Sequence, residues 1–280
     1  MGLWDSITNL PGDLVNSIFS GIGHLLAGFV QPLFDIAKAM LTVNIDPFHF
    51  QNLWLVIITV ISCFYLLIFL IVGFKFLFGS YDAVQRAEAK EWFKQALLLV
   101  IAVNASLLFY SLLLSLSSGI SVTLWNSNLE NVFSVQNLNA TDLLWLLTLA
   151  ISVFLTVITL VLRQIFLIIG VMLFPIGLFL YFIPPVKAYG SAILQLLGAA
   201  AFMNVLDVII LIAVQLFWTE FSYLPYINLL APSLGFLLVG IANIVLVFFA
   251  VQRALSSAGV NVNFAELGKS MIGPAMMALA

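Results

Sequence analysis

Five long apolar runs divide this chain, and they constrain its fold more than any other feature of the sequence. The runs cover residues 53–78, 95–116, 143–183, 192–217 and 234–251. A helix needs about 20 mostly apolar residues to cross the hydrocarbon core of a bilayer, and each run meets or approaches that length. Charged residues make up only 8% of the chain, whereas a soluble domain carries about a quarter. The sequence therefore predicts an all-α integral membrane protein with an N-terminal amphipathic helix and about five transmembrane crossings.

The first 50 residues differ from the rest of the chain. Apolar residues recur there at helical spacing: Leu14, Ile18, Ile22, Leu25 and Phe29. Polar residues fall on the opposite face, namely Asn16, Ser17, Ser20, His24 and Gln31, and Pro32 should break or kink the pattern. An amphipathic segment of low charge is typical of the membrane interface, and a helix packed on a partner subunit is the alternative. We therefore expect an amphipathic interfacial segment (1–50), a transmembrane domain (51–255) and a cytoplasmic tail (256–280).

Basic residues indicate the orientation, because they are retained on the cytoplasmic side of a membrane. The segments 117–142 and 218–232 contain no Lys or Arg, so we expect both to be external loops. The first of them contains a glycosylation sequon at Asn139. The basic residues between and after the other runs belong inside: Arg86, Lys90, Lys94, Lys187, Arg253 and Lys269. This pattern predicts a multi-pass protein of the cell membrane, with its N-terminus outside and its C-terminus in the cytoplasm.

The run 143–183 decides the number of crossings. A single helix over these residues would be about 60 Å long, twice the thickness of the hydrocarbon core. One net crossing, either strongly tilted, bent at Pro175 or partly re-entrant, satisfies the charge rule and gives five crossings. A turn at Arg163 would give six crossings but would leave Arg253 and Lys269 outside. The charge rule therefore favours five.

The sequence contains no recognisable catalytic, cofactor or metal-binding motif. Its two histidines, His24 and His49, are far apart, and no GxSxG, HExxH, phosphate-loop or dinucleotide-binding pattern is present. We therefore expect a protein that is not an enzyme and that requires neither a cofactor nor a metal.

Polar residues inside the apolar runs are the candidates for function, because a charge within a membrane is expensive. Arg163 and Asp207 are the two charges in the interior of these runs, whereas Lys75 lies near the end of the first run. Asn204 lies three residues before Asp207 on the same helix face. These residues predict an ion pair that lines a polar path or gates an opening. An alternative is that they only fix helix packing or subunit register. For Arg163 a further alternative is that its side chain snorkels to the cytoplasmic interface.

The segment around Arg163 resembles a known family. An arginine is followed by an apolar stretch with a proline, here Pro175, and then by a short basic turn with Pro184 and Pro185. The matching stretches are VLRQIFLI at 161–168, FPIG at 174–177 and FIPPVKAYG at 182–190. This pattern is similar to that of the TrbL-like polytopic inner-membrane subunits of type IV secretion and conjugation machines, including their archaeal DNA-import relatives of the CedA type. In this pattern we expect the three prolines to break helices.

The resemblance implies a channel or platform subunit of a DNA-transfer apparatus. Such a subunit would form a homo-oligomeric ring and work with a secretion-type hexameric ATPase and a small pilus-forming membrane protein, with DNA as the transported substrate. Arg86, Lys90 and Lys94 would then face the DNA or the ATPase, or alternatively only set the topology. A small-solute or ion transporter, with Arg163, Asp207 and Asn204 at a midplane site, is the second hypothesis. A structural membrane scaffold is the third.

Overall fold

A computed structural model of the protein describes residues 21, 22, 25, 28–79, 83–129, 143–220 and 227–257, and these residues contain seven α-helices and no strand. In lipid every backbone polar group must be paired within the segment, which imposes helix even on runs rich in Ile, Val and Phe. The helices are α1 (28–42), α2 (Gln51–Phe78), α3 (Ala83–Asn104), α4 (Ser106–Asn128), α5 (Leu143–Phe182), α6 (Lys187–Thr219) and α7 (Ile227–Ser257).

Five helical segments among the described residues are long and apolar enough to cross a membrane. They are Pro47–Phe78, Ser106–Asn128, Leu146–Phe182, Pro184–Phe217 and Pro232–Gln252. The predicted fold class, an all-α membrane protein with about five crossings, is therefore confirmed.

The second of these segments, Ser106–Asn128, differs from the second predicted crossing, which covered residues 95–116. The apolar run 95–116 straddles Ala105, where α3 ends and α4 begins, and residues 117–128 are helical instead of forming an external loop. Serine and threonine hydroxyls explain the difference, because they bond to backbone carbonyls one turn earlier and so allow polar residues to continue a membrane helix. Ser121, for example, donates to the carbonyl oxygen of Ser117, and Thr123 donates to that of Gly119. Asn139 lies outside the described residues.

The long run forms one continuous helix, α5, which passes through both Arg163 and Pro175. The alternative turn at Arg163 is therefore absent, and Pro175 does not end the helix as expected. A proline removes one backbone hydrogen bond, and a membrane helix tolerates that loss where neighbouring groups compensate for it. The expected break occurs at Pro184 and Pro185, which form a 3-10 turn after the extended Ile183.

The chain divides into two units, and the first contains the described parts of Met1–Phe48, Tyr110–Ile169 and Ala199–Val247. Its core receives one face of α1, formed by Val30, Phe34, Ala37 and Leu41. The rings of Phe34 and Phe236 (α7) lie 5.2 Å apart between centroids. The remaining large core residues come from α4 to α7 and include Trp125, Leu146, Leu149, Leu160 and Leu211.

A second side of the N-terminal helix is also apolar. Ile22, Leu25 and Phe29 of the predicted apolar stripe are exposed, and the helix continues through Pro32 without the expected break. The stripe residues Leu14 and Ile18, together with most of the predicted polar face, lie outside the described residues. The interfacial location of this segment stays a prediction, and the structure adds that a different apolar face anchors α1 in the first unit.

The second unit contains the described parts of His49–Phe109, Gly170–Gly198 and Phe248–Ala280. Its core joins Ile58 and Ile61 of α2 to Leu99 and Val103 of α3, with Phe179 from the end of α5 packed against them. The indole nitrogen of Trp54 also donates to the hydroxyl of Ser106, at 2.8 Å.

The end of α5 and the start of α6 approach each other at two glycines. A Cβ added to Gly190 would lie 2.6 Å from the carbonyl oxygen of Gly177 and would also collide with the backbone of Tyr181. Both obstacles are backbone atoms, which cannot move aside as a flexible side chain can. This crossing therefore requires a glycine at position 190.

We expect Gly190→Ala to lower the melting temperature of the purified protein or to abolish its folded expression. The cost should be at least about 1–3 kcal/mol, which is typical of an overpacked core. Gly198→Ala is the matched control on the same helix, because a Cβ there meets nothing within 4 Å; it should be neutral or slightly stabilising. Equal melting temperatures for the two variants, measured in detergent, would contradict the close crossing.

Candidate functional site: a buried polar cluster

Three helices of the first unit meet at Arg163 of α5, Asp207 of α6 and Asn243 of α7. The Nη1 atom of Arg163 donates to Oδ2 of Asp207 and, at 3.3 Å, to Oδ1 of Asn243. The Nδ2 atom of Asn243 donates in turn to Oδ1 of Asp207, at 2.8 Å. Each carboxylate oxygen of Asp207 therefore has a donor from a different helix, and we call these three residues the polar cluster.

The polar cluster is buried: the exposed fractions of Arg163, Asp207 and Asn243 are 5%, 0% and 3%. Leu160, Val208 and Val239, which are close to the cluster in sequence, are also buried in the core of this unit. The pairing of opposite charges makes the cluster neutral as a whole, which is the usual condition for ionised groups in a membrane interior.

The ion pair uses only one of the three guanidinium nitrogens. Nε and Nη2 of Arg163 make no hydrogen bond to any described residue, so the contact is a single-point pair and not the two-point fork that arginine often forms with a carboxylate. The amide of Asn243 supplies the additional bonds and acts as the bridge between the two charges.

The expected ion pair between Arg163 and Asp207 is therefore present, and Arg163 does not snorkel to an interface. Its role in a path or a gate stays a prediction. Asn204 is buried as expected but is not part of the polar cluster, although it shares a helix with Asp207. Asn243 was missed, although it is the only strongly polar residue in the apolar run 234–251 and could have been found by that signal.

A second polar group lies beside the cluster in sequence. Nε2 of Gln164 donates to the carbonyl oxygen of Met40 at 2.7 Å, which ties α5 to the end of α1. Gln164, Asn204, Ser117 and Ser118 line a small cavity with room for about one water molecule. This cavity is far too small for a solute, so it does not constitute a path in this conformation.

Further hydrogen bonds join α4, α5, α6 and α7 at positions close to these residues in the sequence. Tyr110 (α4) donates to the carbonyl oxygen of Leu167 (α5) at 2.7 Å, and Ser117 (α4) donates to that of Ala201 (α6). Thr156 (α5) donates to the carbonyl oxygen of Phe236 (α7). Lipid provides little hydrophobic drive between helices, so hydrogen bonds and close packing must hold a membrane bundle together.

The basic residues Arg86, Lys90 and Lys94 belong to the second unit, not to the polar cluster. They were expected in a loop, but they lie on α3, which begins at Ala83. Their spacing of four residues places them along one helix face, and all three side chains are exposed. Glu88 and Glu91 are exposed on the same helix, so the basic row has acidic neighbours.

The polar cluster supplies hydrogen bonds and paired charges between three helices. No group of three or more His, Cys, Asp or Glu side chains in the described part of the chain is placed to hold a metal ion. No family model, curated protein or solved structure matches this chain.

We expect Arg163→Ala to lower the free energy of unfolding by about 3–5 kcal/mol, because it leaves Asp207 buried without a partner. Asn243→Leu removes no charge and should cost less, about 1–2 kcal/mol. The double variant Arg163→Met with Asp207→Leu should recover most of the loss, since it removes both charges. Unfolding in mixed detergent micelles measures all three.

Lys90→Ala is the control for that series. It removes an exposed charge and should change stability by no more than about 0.5 kcal/mol. A double variant that is no more stable than Arg163→Ala would mean that the two charges are not coupled.

Proposed function

We propose that this protein is a membrane-embedded channel or platform subunit of a type IV secretion-like DNA-transfer apparatus. The observation that carries the proposal is the segment 161–190, in which the resemblance to the TrbL-like family lies. The same segment supplies Arg163 to the polar cluster, the 3-10 turn at Pro184–Val186 and the close crossing at Gly190. A pattern shared with that family thus coincides with the residues on which the helical bundle depends.

A homo-oligomeric ring is part of this proposal, and α4 supports it. Ser115, Gly119, Thr123 and Ser127 are spaced four residues apart and are all exposed. Small residues at this spacing allow two membrane helices to approach closely. A Cβ added at Gly119 meets nothing within 4 Å, so this face of α4 is open along its small residues.

The proposal assigns the energy supply to a separate ATPase, because no phosphate-loop motif occurs in the sequence. With the N-terminus outside, the basic row on α3 lies in the cytoplasm, where Arg86, Lys90 and Lys94 would meet DNA or the ATPase. Each phosphate contact releases counterions, so this attraction weakens as salt rises. Repetition of the row around a ring would multiply the few charges of one subunit. A small pilus-forming protein completes the assembly.

A small-solute or ion transporter is the second candidate. The observation that favours it is that Arg163, Asp207 and Asn243 are buried within one chain, as a substrate site would be. A transporter of this type would work as a monomer, whereas the DNA-transfer subunit requires its ring. Oligomeric state and DNA transfer therefore separate the two candidates.

We expect cells that lack this protein to lose DNA transfer while growing normally, and wild-type protein to restore transfer. Arg163→Ala and Asp207→Ala should restore little or none, because each leaves an unpaired charge in the bundle. Lys38→Ala, which changes an exposed lysine of α1, is the control and should restore transfer. Unchanged transfer in the deletion strain would exclude the DNA-transfer function.

We expect Gly119→Leu to convert the oligomer to smaller species without unfolding the chain, since the added side chain enters space on the exposed face of α4 that the same chain does not occupy. Gly73→Leu on α2 is the matched control, because Gly73 is also an exposed helical glycine with nothing near its Cβ position. Mass photometry of the two variants in detergent tests this. Identical mass distributions for both would exclude α4 as the oligomer contact.

A further inference from the structure

The second unit contains an apolar groove between α2, α3 and the end of α5. Its volume is about 190 Å³. Side chains from all three helices line it, including Phe64, Ile68, Ile71, Trp92, Leu99 and Phe179. Phe64 and Ile71 are 49% and 39% exposed, so the groove reaches the outer surface of this unit. In a chain that crosses a membrane, such a groove is accessible to lipid.

A lysine continues the α2 wall of this groove. Phe64, Ile68, Ile71 and Lys75 follow one another at intervals of four, three and four residues, which places them on one face of the helix. The ammonium of Lys75 lies 4.0 Å from the ring centroid of Trp92, which itself lines the groove. The groove therefore has a positive charge next to one of its aromatic walls.

A second lysine lies close to the groove in the chain. Pro184 lines the groove, and Lys187 follows three residues later with its ammonium 5.1 Å from the ring centroid of Tyr181. Within the described part of the chain, no carboxylate forms an ion pair with Lys75 or Lys187. Each ammonium group thus lies near an aromatic ring and keeps N–H donors that can bind an anion.

The length of the α2 wall matches one leaflet of a bilayer. Eleven residues separate Phe64 from Lys75, which corresponds to about 16 Å along a helix, and half of the hydrocarbon core is about 15 Å. Tryptophan and lysine are the residues that typically lie at the level of lipid headgroups. The wall thus extends from a headgroup level at Trp92 and Lys75 to the depth of the bilayer centre at Phe64.

We propose that this groove binds an anionic phospholipid. One acyl chain would lie along Phe64, Ile68 and Ile71 against Phe179, and the headgroup phosphate would bind Lys75, with Lys187 as a second cation. Charge complementarity selects this occupant. An apolar partner helix would fill the groove but bring no anion, and the phosphate of a zwitterionic lipid is already balanced by the cation of its own headgroup. This site is independent of the DNA-transfer proposal.

The test measures quenching of Trp92 by phospholipids that carry bromine on their acyl chains. The full-length protein is reconstituted in phosphatidylcholine vesicles with a minor fraction of brominated phosphatidylglycerol or brominated phosphatidylcholine. The difference between wild type and Trp92→Phe isolates the signal of this residue from those of the other five tryptophans. We expect brominated phosphatidylglycerol to quench Trp92 at a lower fraction than brominated phosphatidylcholine.

The variants Lys75→Gln and Lys187→Gln should each reduce this preference about five-fold, the factor that corresponds to about 1 kcal/mol for one basic residue near a membrane surface. Lys90→Gln changes an exposed lysine of α3 that does not line the groove, and it should preserve the preference. Circular dichroism and gel filtration identify any variant that fails to fold.

Three outcomes would overturn the proposal. Equal quenching by the two brominated lipids would show that the headgroup is not selected. An unchanged preference in the double variant Lys75→Gln with Lys187→Gln would show that these two lysines do not bind the headgroup. No quenching of Trp92 by either lipid would show that lipid does not enter the groove, as when a second copy of the chain covers it.

Discussion

The ion pair between Arg163 and Asp207 is the contact on which the first unit most depends. A charge in a membrane interior is tolerated only when a partner compensates it, and here the compensation comes from two other helices. Since Asp207 lies on α6 and Asn243 on α7, α5 can occupy few positions relative to them without leaving a charge unpaired. A contact between apolar side chains would allow small rotations at little cost, whereas this one does not. We therefore infer that the polar cluster contributes more to the specificity of the bundle than to its total stability.

Small residues and hydroxyl groups allow the helices to come close enough for such contacts. Thr156 donates to the carbonyl oxygen of Phe236, and a Cβ built on Gly240 would lie 3.3 Å from the hydroxyl of the same threonine. In the second unit, Gly190 lies against the backbone near Gly177. Because lipid provides little hydrophobic drive for apolar helices to associate, this architecture requires positions without side chains as well as large core residues.

The apolar runs predicted the fold class and the number of candidate membrane spans, because the bilayer imposes both a minimum length and a helical backbone. The ends of the helices were less predictable. The predicted crossing ends at residue 116, yet the hydroxyl of Ser117 donates to the carbonyl oxygen of Ala201 and α4 continues to Asn128. The pairing of Arg163 with Asp207 followed from their charges. Asn243 was missed because a neutral amide gives a weaker signal, and its bridging role depends on a contact between helices that are distant in sequence.

The distribution of charge differs between the two units of the chain. Arg163 and Asp207 neutralise each other inside the first unit, so they offer no net charge to a ligand, and their function is best understood through the bundle that they hold. The cations of the second unit differ, because Lys90, Lys94 and Lys187 are exposed and Lys75 lies over an aromatic ring. Unlike Arg163, these cations are available to a phosphate, whether of DNA or of a lipid headgroup. Apart from the exposed Lys38 of α1, the described cations that an anion could reach thus belong to the second unit, while we expect the polar cluster to determine whether the first unit is correctly assembled.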